Sequence, residues 1–290
     1  MFVRSFAAIL WSHIISRLGV PDRMKSSFPM PGFYWRSSRC QSMEHVLVAE
    51  EPLSIRVDGK PYSVVLRTPG DEIAHAAGFC LAEGLIDRPD DAASIGFCDG
   101  NDTNVVTVTL TENRRRRIPA VLDRRGYISQ TSCGLCGREM VADLSRELTA
   151  IEDHSLVDIA SVSKLTEELG RLQPLRKKTS ASHAAALFSE DLELLSIDED
   201  VGRHNALDKA IGNVFLRGEL AAAKVAVLSS RISYELVQKA ARAKIPIIFA
   251  VSRPTALAVQ LGSSLNMTLA SLGRPEGVYI FCGQRRLIKS

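Results

Sequence analysis

The sequence contains no apolar run long enough to cross a bilayer. Even Phe2 to Leu18, amphipathic with Arg4 and Arg17, is broken by Ser12, His13 and Ser16 and is too short and too polar to span. It also lacks charge of one sign. Its 36 Lys and Arg against 33 Asp and Glu leave a net charge of +3, too mild to announce a nucleic-acid binder. The basic runs at Arg114 to Arg117 and Arg124-Arg125 read as solvated loop charge. A disulfide framework is missing as well. Of Cys40, Cys80, Cys98, Cys133, Cys136 and Cys282, only Cys133 and Cys136 stand at motif spacing. That pattern excludes a small secreted scaffold and points to the cytoplasm.

What is present is a chain able to bury a sizeable core, with 290 residues and 46% hydrophobic content. Residues 1–43 read as an N-terminal extension, disordered and rich in Pro, Ser and Gly up to about Ser42, with Met43 an alternative start. A β-rich part with one helix follows over 44–130. Val46 to Val48, Leu53 to Val57 and Tyr62 to Leu66 are strand-like, and Asp58-Gly59 predicts a hairpin turn between the last two. A helix begins at Asp71 and stops at Gly84, with Cys80 on its apolar face. Val105 to Leu110 alternates as a strand.

From Ser161 the pattern changes to alternating helices and strands. Lys224 to Leu228, Tyr234 to Ala243, Ile245 to Val251 and Thr255 to Leu265 spell strand, helix, strand, helix. The fold class is α/β, with a mixed, largely parallel sheet flanked by helices over 131–290. In such sheets ligands bind beyond the carboxyl ends of the strands, where helix N-termini offer free amide donors to anions. Ser229-Ser230-Arg231 follows one strand and Ser252-Arg253 another, and their hydroxyls and guanidinium groups suit phosphate. The competing explanation is ordinary N-capping by Ser230 and Ser252. Asp200 to Lys209 is a third polar cluster. Asp200 reads as a helix cap, Gly202 permits close approach, and Arg203 and His204 project from the first turn toward a ligand. A helical histidine is packed or solvated more often than catalytic, and the same holds for His183 and His75.

The stretch Thr131 to Arg138 carries the sharpest chemistry. Cys133-Gly134-Leu135-Cys136 places two thiols on a glycine-flanked segment beside Arg138, at the start of a helical pattern running to Leu148. The cation and the helix start both favour a thiolate, which is the nucleophilic form. Such a pair carries sulfur, electrons or a metal.

Six ordered strings now match a known family. Thr68 to Glu72, Ser132 to Gly137, Ser182 to Ala186, Glu199 to Lys209, Ser229 to Glu235 and Ala250 to Thr255 together resemble the formate dehydrogenase accessory sulfurtransferases, the FdhD family, across about Glu50 to Leu287. The resemblance implies a cytidine-deaminase-like core, as a homodimer. It also implies a persulfide accepted from a cysteine desulfurase, and passed to the molybdenum of a bis-molybdopterin guanine dinucleotide cofactor destined for the formate dehydrogenase catalytic subunit. By that carry-over Cys133 holds the persulfide with Cys136 as its partner. Leu272, Gly273, Arg274, Pro275, Glu276 and Gly277 form the guanine-dinucleotide segment, beside Ser229, Arg231, Ser252, Arg203 and His204.

Three alternatives compete with this reading. Zinc-dependent deamination needs a His-x-Glu ahead of a Pro-Cys-x-x-Cys pair, and here no His-x-Glu precedes the cysteines and Ser132 replaces the proline. A structural zinc site would need two outside ligands such as Cys98 and Cys282, which are not at ligand spacing. A thioredoxin-like oxidoreductase places its motif after the first strand of a βαβ unit, whereas this one precedes the alternating region.

Overall fold

The computed structural model describes residues 25–98, 102–123, 148–273 and 277–289. The cysteine motif, Cys133 and Cys136 included, lies outside the described residues, as do Arg138 and Arg274, Pro275 and Glu276.

The first element departs from the expectation of a disordered extension. β1 (Ser27–Arg36) and β2 (Arg39–Val48) form a two-stranded antiparallel ribbon joined at Ser37-Ser38, with Ser37 in the left-handed region at φ 57°. Pro29, Pro31 and Gly32 had argued against a strand. Proline removes only a donor, however, and a two-stranded ribbon has a solvent-facing edge that tolerates the loss. Pro29 lies opposite Val46 and Pro31 opposite Glu44.

β3 (Glu51–Val57), β4 (Lys60–Arg67), β5 (Ala92–Phe97) and β6 (Val105–Leu110) make a four-stranded sheet in the order β4-β3-β6-β5. The Asp58-Gly59 turn is as expected, with both residues at positive φ, 49° and 76°, the backbone that a two-residue hairpin loop requires. α1 (Glu72–Ala82) covers the inner face of this sheet and buries Cys80 completely. The arginine run expected in a loop is instead α2 (Glu112–Arg117), followed by α3 (Pro119–Asp123). Arg114 is buried rather than solvated. Its guanidinium donates to the carbonyls of Gly84 and Leu85 at 2.7 and 2.8 Å, neutralising the exposed carbonyl end of α1.

The second part holds β7 (Val157–Asp158), α4 (Ser161–Arg171), α5 (Pro174–Thr179), β8 (His183–Phe188), β9 (Leu194–Asp200), α6 (Arg203–Leu216), β10 (Val225–Leu228), α7 (Tyr234–Arg242), β11 (Ile247–Ala250), α8 (Ala256–Ser264), β12 (Thr268–Gly273), β13 (Gly277–Cys282) and β14 (Leu287–Ile288). Six strands form a mixed sheet in the order β13-β12-β11-β10-β8-β9. β10, β11 and β12 are parallel, and β13 and β8 flank them antiparallel. The four-residue runs Val225–Leu228 and Ile247–Ala250 are buried on both faces, because helices cover both sides. Ala184, Ala186, Val225, Val227 and Phe249 face α4, while Ala185, Leu187, Ala226 and Leu228 face α6, α7 and α8.

That second face continues into the first part of the chain through α1 and α6. A Cβ on Gly78 would lie 1.9 Å from the Asp208 carbonyl oxygen, and one on Gly212 would lie 1.8 Å from that of Ala74. The backbones of the two helices therefore touch. This contact fuses the two parts into one core and fixes the start of α6 against the first sheet.

Candidate functional site

The register of the parallel strands sets Leu228, Ala250 and Ser271 in one row across β10, β11 and β12. The residues after this row form a lip at the carboxyl ends of the strands: Ser229-Ser230-Arg231, Val251-Ser252-Arg253 and Leu272-Gly273. The amino end of the antiparallel β8 reaches the same edge. Ser229 donates its amide to the Ala184 carbonyl at 3.0 Å and accepts the Ala184 amide on its hydroxyl at 2.8 Å, which places His183 beside the lip.

Ordinary capping does not explain the serines. The Ser230 hydroxyl donates to the neighbouring Arg231 carbonyl at 2.9 Å. α7 starts after Ser233, and α8 is capped by Thr255, whose hydroxyl accepts from the Ala258 amide at 3.2 Å. Ser252 is exposed in the loop before that cap.

α6 brings Arg203 and His204 to this edge, and a buried network holds its first turn. Asp200 was expected to cap the helix; instead Gly202 occupies the cap position, and Asp200 ties together segments far apart in sequence. One carboxylate oxygen accepts from the Gly202 amide and the Asn205 side chain, each at 2.9 Å. The other accepts from the Thr68 amide at 3.0 Å and pairs with Lys209 at 2.8 Å. Lys209 also donates to the Thr68 carbonyl at 2.8 Å, and Asn205 to that of Leu66 at 2.7 Å. The Thr68 to Asp71 turn is thus a clamp on the Arg203-His204 turn. Sequence pattern could not show this, because its donors and acceptors are more than 130 residues apart.

Electrostatically the lip is cationic. Burial, then the neighbouring Arg231, pushes the Arg203 guanidinium below its ordinary pKa. Burial, then Arg203, Arg176 and His204, keeps His183 below the usual histidine value. His204 is also lowered by burial, although its bond to Glu235 opposes the shift. Its Nε2 lies 2.9 Å from a Glu235 carboxylate oxygen and 3.1 Å from the Ser233 hydroxyl. Because one nitrogen meets both groups, this is not a Ser-His-Glu relay, in which the two ring nitrogens divide the roles.

Among the described residues, Arg203 Nε, His183 Nδ1 and the Ser271 hydroxyl are buried along this edge without a partner. Unpaired buried polar atoms are costly, and spread along an edge lined by arginines they suit an anionic ligand that reaches across several strands. Leu272, Gly273 and Gly277 join the same edge. Gly273 pairs with Gly277, where an added Cβ would meet the Gly277 backbone at 3.2 Å, so the two strands approach closely. The Arg253 guanidinium stacks 4.6 Å over the Tyr279 ring on β13, linking the loop after β11 to this segment. The structure therefore brings Arg203, His204, Ser229, Arg231, Ser252, Leu272, Gly273 and Gly277 to one edge. His183, Ser233, Glu235 and Ser271 join them without having been selected from sequence. A signal for two of these was the Ser233-Tyr234-Glu235 string closing the Ser229 motif. Ser271, inside an apolar strand, offered none.

The outside ligands considered for zinc do not converge. Cys98 is exposed just beyond β5, an edge of the four-stranded sheet. Cys282 is buried at the end of β13, an edge of the six-stranded one, and donates to the Met267 carbonyl at 3.4 Å. Among the described residues no three His, Cys, Asp or Glu side chains group as a metal site, and no helix is long and apolar enough to cross a membrane.

Comparison with known proteins gives one result. The profile of the FdhD/NarQ family matches residues 48–288. A Streptomyces avermitilis protein named sulfur carrier protein FdhD is 38% identical over 262 residues, covering 87% of this chain and 92% of its own. Its Mycobacterium tuberculosis namesake is 37% identical over 254 residues, covering 83% and 91%. The Xanthomonas campestris pv. campestris strain B100 namesake is 33% identical over 254 residues, covering 87% and 89%. The crystal structure of a candidate formate dehydrogenase accessory protein from Desulfotalea psychrophila superposes with a TM-score of 0.72. It shares 23% identity and covers 91% of this chain and all of its own, a likeness of fold. With a family profile spanning both sheets and relatives above 30% identity over most of its length, the chain belongs to the FdhD/NarQ family.

Proposed function

We propose that this protein is a sulfur carrier serving formate dehydrogenase, as its relatives' name suggests. Cys133 accepts sulfur as a persulfide from a cysteine desulfurase and delivers it to a bis-molybdopterin guanine dinucleotide held at the cationic lip, in a cytoplasmic homodimer. The observation that carries the acceptor side is the set of unpartnered buried atoms on Arg203, His183 and Ser271 beside the arginines of the lip. Phosphate oxygens would accept from exactly such donors, with bidentate guanidinium contacts supplying the stronger bonds. The acceptor, once bound, supplies the metal centre that takes the sulfur.

The carrier side follows from thiol exchange chemistry. The Cys133 thiolate attacks the outer sulfur of the donor persulfide; a new S–S bond forms on Cys133 and the donor cysteine leaves as its thiolate. Attack by Cys136 on the Cys133 sulfur then closes a disulfide and expels hydrosulfide to the acceptor, and a cellular dithiol reductant resets the pair. Intact mass after incubation with a desulfurase and cysteine tests the first step. A gain of about 32 Da, lost on reduction and absent in Cys133→Ala, is expected for a cysteine persulfide. Loading retained in Cys133→Ala and lost in Cys136→Ala would reverse the assignment. Stoichiometric zinc without loading would replace it with a structural site.

A further inference from the structure

Two surfaces remain that neither the core nor the proposed reaction uses. The first is the β1–β2 ribbon. Phe33 is 76% exposed and Trp35 67%, with Met30, Tyr34, Met43 and Leu47 also exposed. The alternation of a strand puts Phe33 and Trp35 on one face and Met30 and Tyr34 on the other, so the ribbon is apolar on both faces. A two-stranded ribbon in water is marginal by itself. Its own chain covers it where α5 packs against β2, and the large side chains of β1 stay exposed. It precedes the family-matched region, which begins at residue 48, so the shared chemistry of the family does not explain it.

The second surface is the outer face of the four-stranded sheet. Leu53, Ile55, Val106 and Val108 point inward to the core, and the alternate residues point out. On the edge strand β4, Val64 and Leu66 are 59% and 58% exposed. On β3 and β6, Arg56 stands beside Thr107 in the ladder. One chain thus offers an arm with large exposed apolar side chains and a sheet face with an apolar edge.

We propose that each copy's ribbon lies across the outer face of the second copy's four-stranded sheet. The proposal rests on the homodimer reading above and deepens it by assigning the contact. A twofold makes both contacts at once, ribbon to face and face to ribbon. The area suffices. Aromatic side chains carry about 150–250 Å² each, so at these exposures Phe33 and Trp35 present roughly 300 Å² on one face of the ribbon. Two ribbons with two faces reach the roughly 1,200–2,000 Å² of a stable interface.

Sedimentation of the full chain tests this, using Phe33→Ser with Trp35→Ser as the ribbon variant and Val64→Ser with Leu66→Ser as the face variant. These side chains are exposed, and circular dichroism with sulfur loading at Cys133 checks that the variants fold. Each variant alone is expected to dissociate at least tenfold more readily than the wild type. An equimolar mixture is expected to recover association, because the mixed pair keeps one intact ribbon-to-face contact. An unchanged dimer in either variant, or a mixture no better than its components, overturns the arm contact while leaving the homodimer standing. A wild-type chain monomeric at every concentration overturns both, and if it then sediments with anionic phospholipid vesicles the ribbon belongs to a lipid surface.

Discussion

At the scale of single residues, buried polarity distinguishes this protein. His75 is fully enclosed, and burial followed by the charges of Lys209, Lys239 and Arg67 holds it well below its ordinary pKa, against a smaller opposing contribution from Asn205. A histidine near 6.5 when unfolded and lower when folded binds more protons in the unfolded chain between those values, so stability rises with pH there. Stability is therefore lost as pH falls below about 6.5 toward the folded value. His183 and His204 act in the same direction. Urea unfolding between neutral and mildly acid pH should show a His75→Met variant losing less stability than the wild type, by up to ~1.4 kcal/mol per pH unit across that window. An unchanged slope would mean that His75 takes up its proton equally in the folded and unfolded chain. Lys209 makes a second residue-scale test. It neutralises the fully buried Asp200, and Lys209→Met would strand that carboxylate at a cost of about 3–5 kcal/mol of unfolding free energy in a urea titration, far above a surface substitution.

At the scale of elements, local pattern revealed what local energetics dictates. β10 and β11 were legible because strands covered on both faces are apolar throughout, and the Asp58-Gly59 hairpin because its backbone admits few residues. Of the ribbon only its Val46 to Val48 end was legible, since Pro29, Pro31 and Gly32 mimic a linker and its strands bury little. The Asp200 network and the unpartnered Ser271 were hidden for a different reason: their meaning depends on partners brought close only by folding. The same holds for the glycine contact of α1 with α6. Neither Gly78 nor Gly212 looks special in a helical pattern, yet each stands where a carbonyl leaves no room for a methyl group. Gly212→Ala should force the helices apart and cost about 1–3 kcal/mol, well beyond its favourable helix propensity. Thermal unfolding checks this, and a stabilised variant would show that the helices separate freely.

At the scale of the whole molecule, the two sheets have different tasks. The six-stranded sheet builds the cationic lip. The four-stranded sheet, through Thr68 and α1, holds the Arg203-His204 turn in place. The cysteine motif joins the end of α3 to the segment resuming at Leu148, so the thiols sit in the chain between the two tasks. On the proposed function loading and delivery are separate steps, and one single-turnover experiment reads both. The protein is loaded with labelled sulfur by a desulfurase and mixed with the guanine dinucleotide cofactor, and label is counted on Cys133 and on the acceptor. The double variant Arg203→Met with Arg231→Met should load as the wild type does yet deliver at least tenfold less, since each lost charge-assisted contact is worth about 1.5–3 kcal/mol. Delivery at the wild-type rate from the loaded variant would contradict a lip that holds the acceptor.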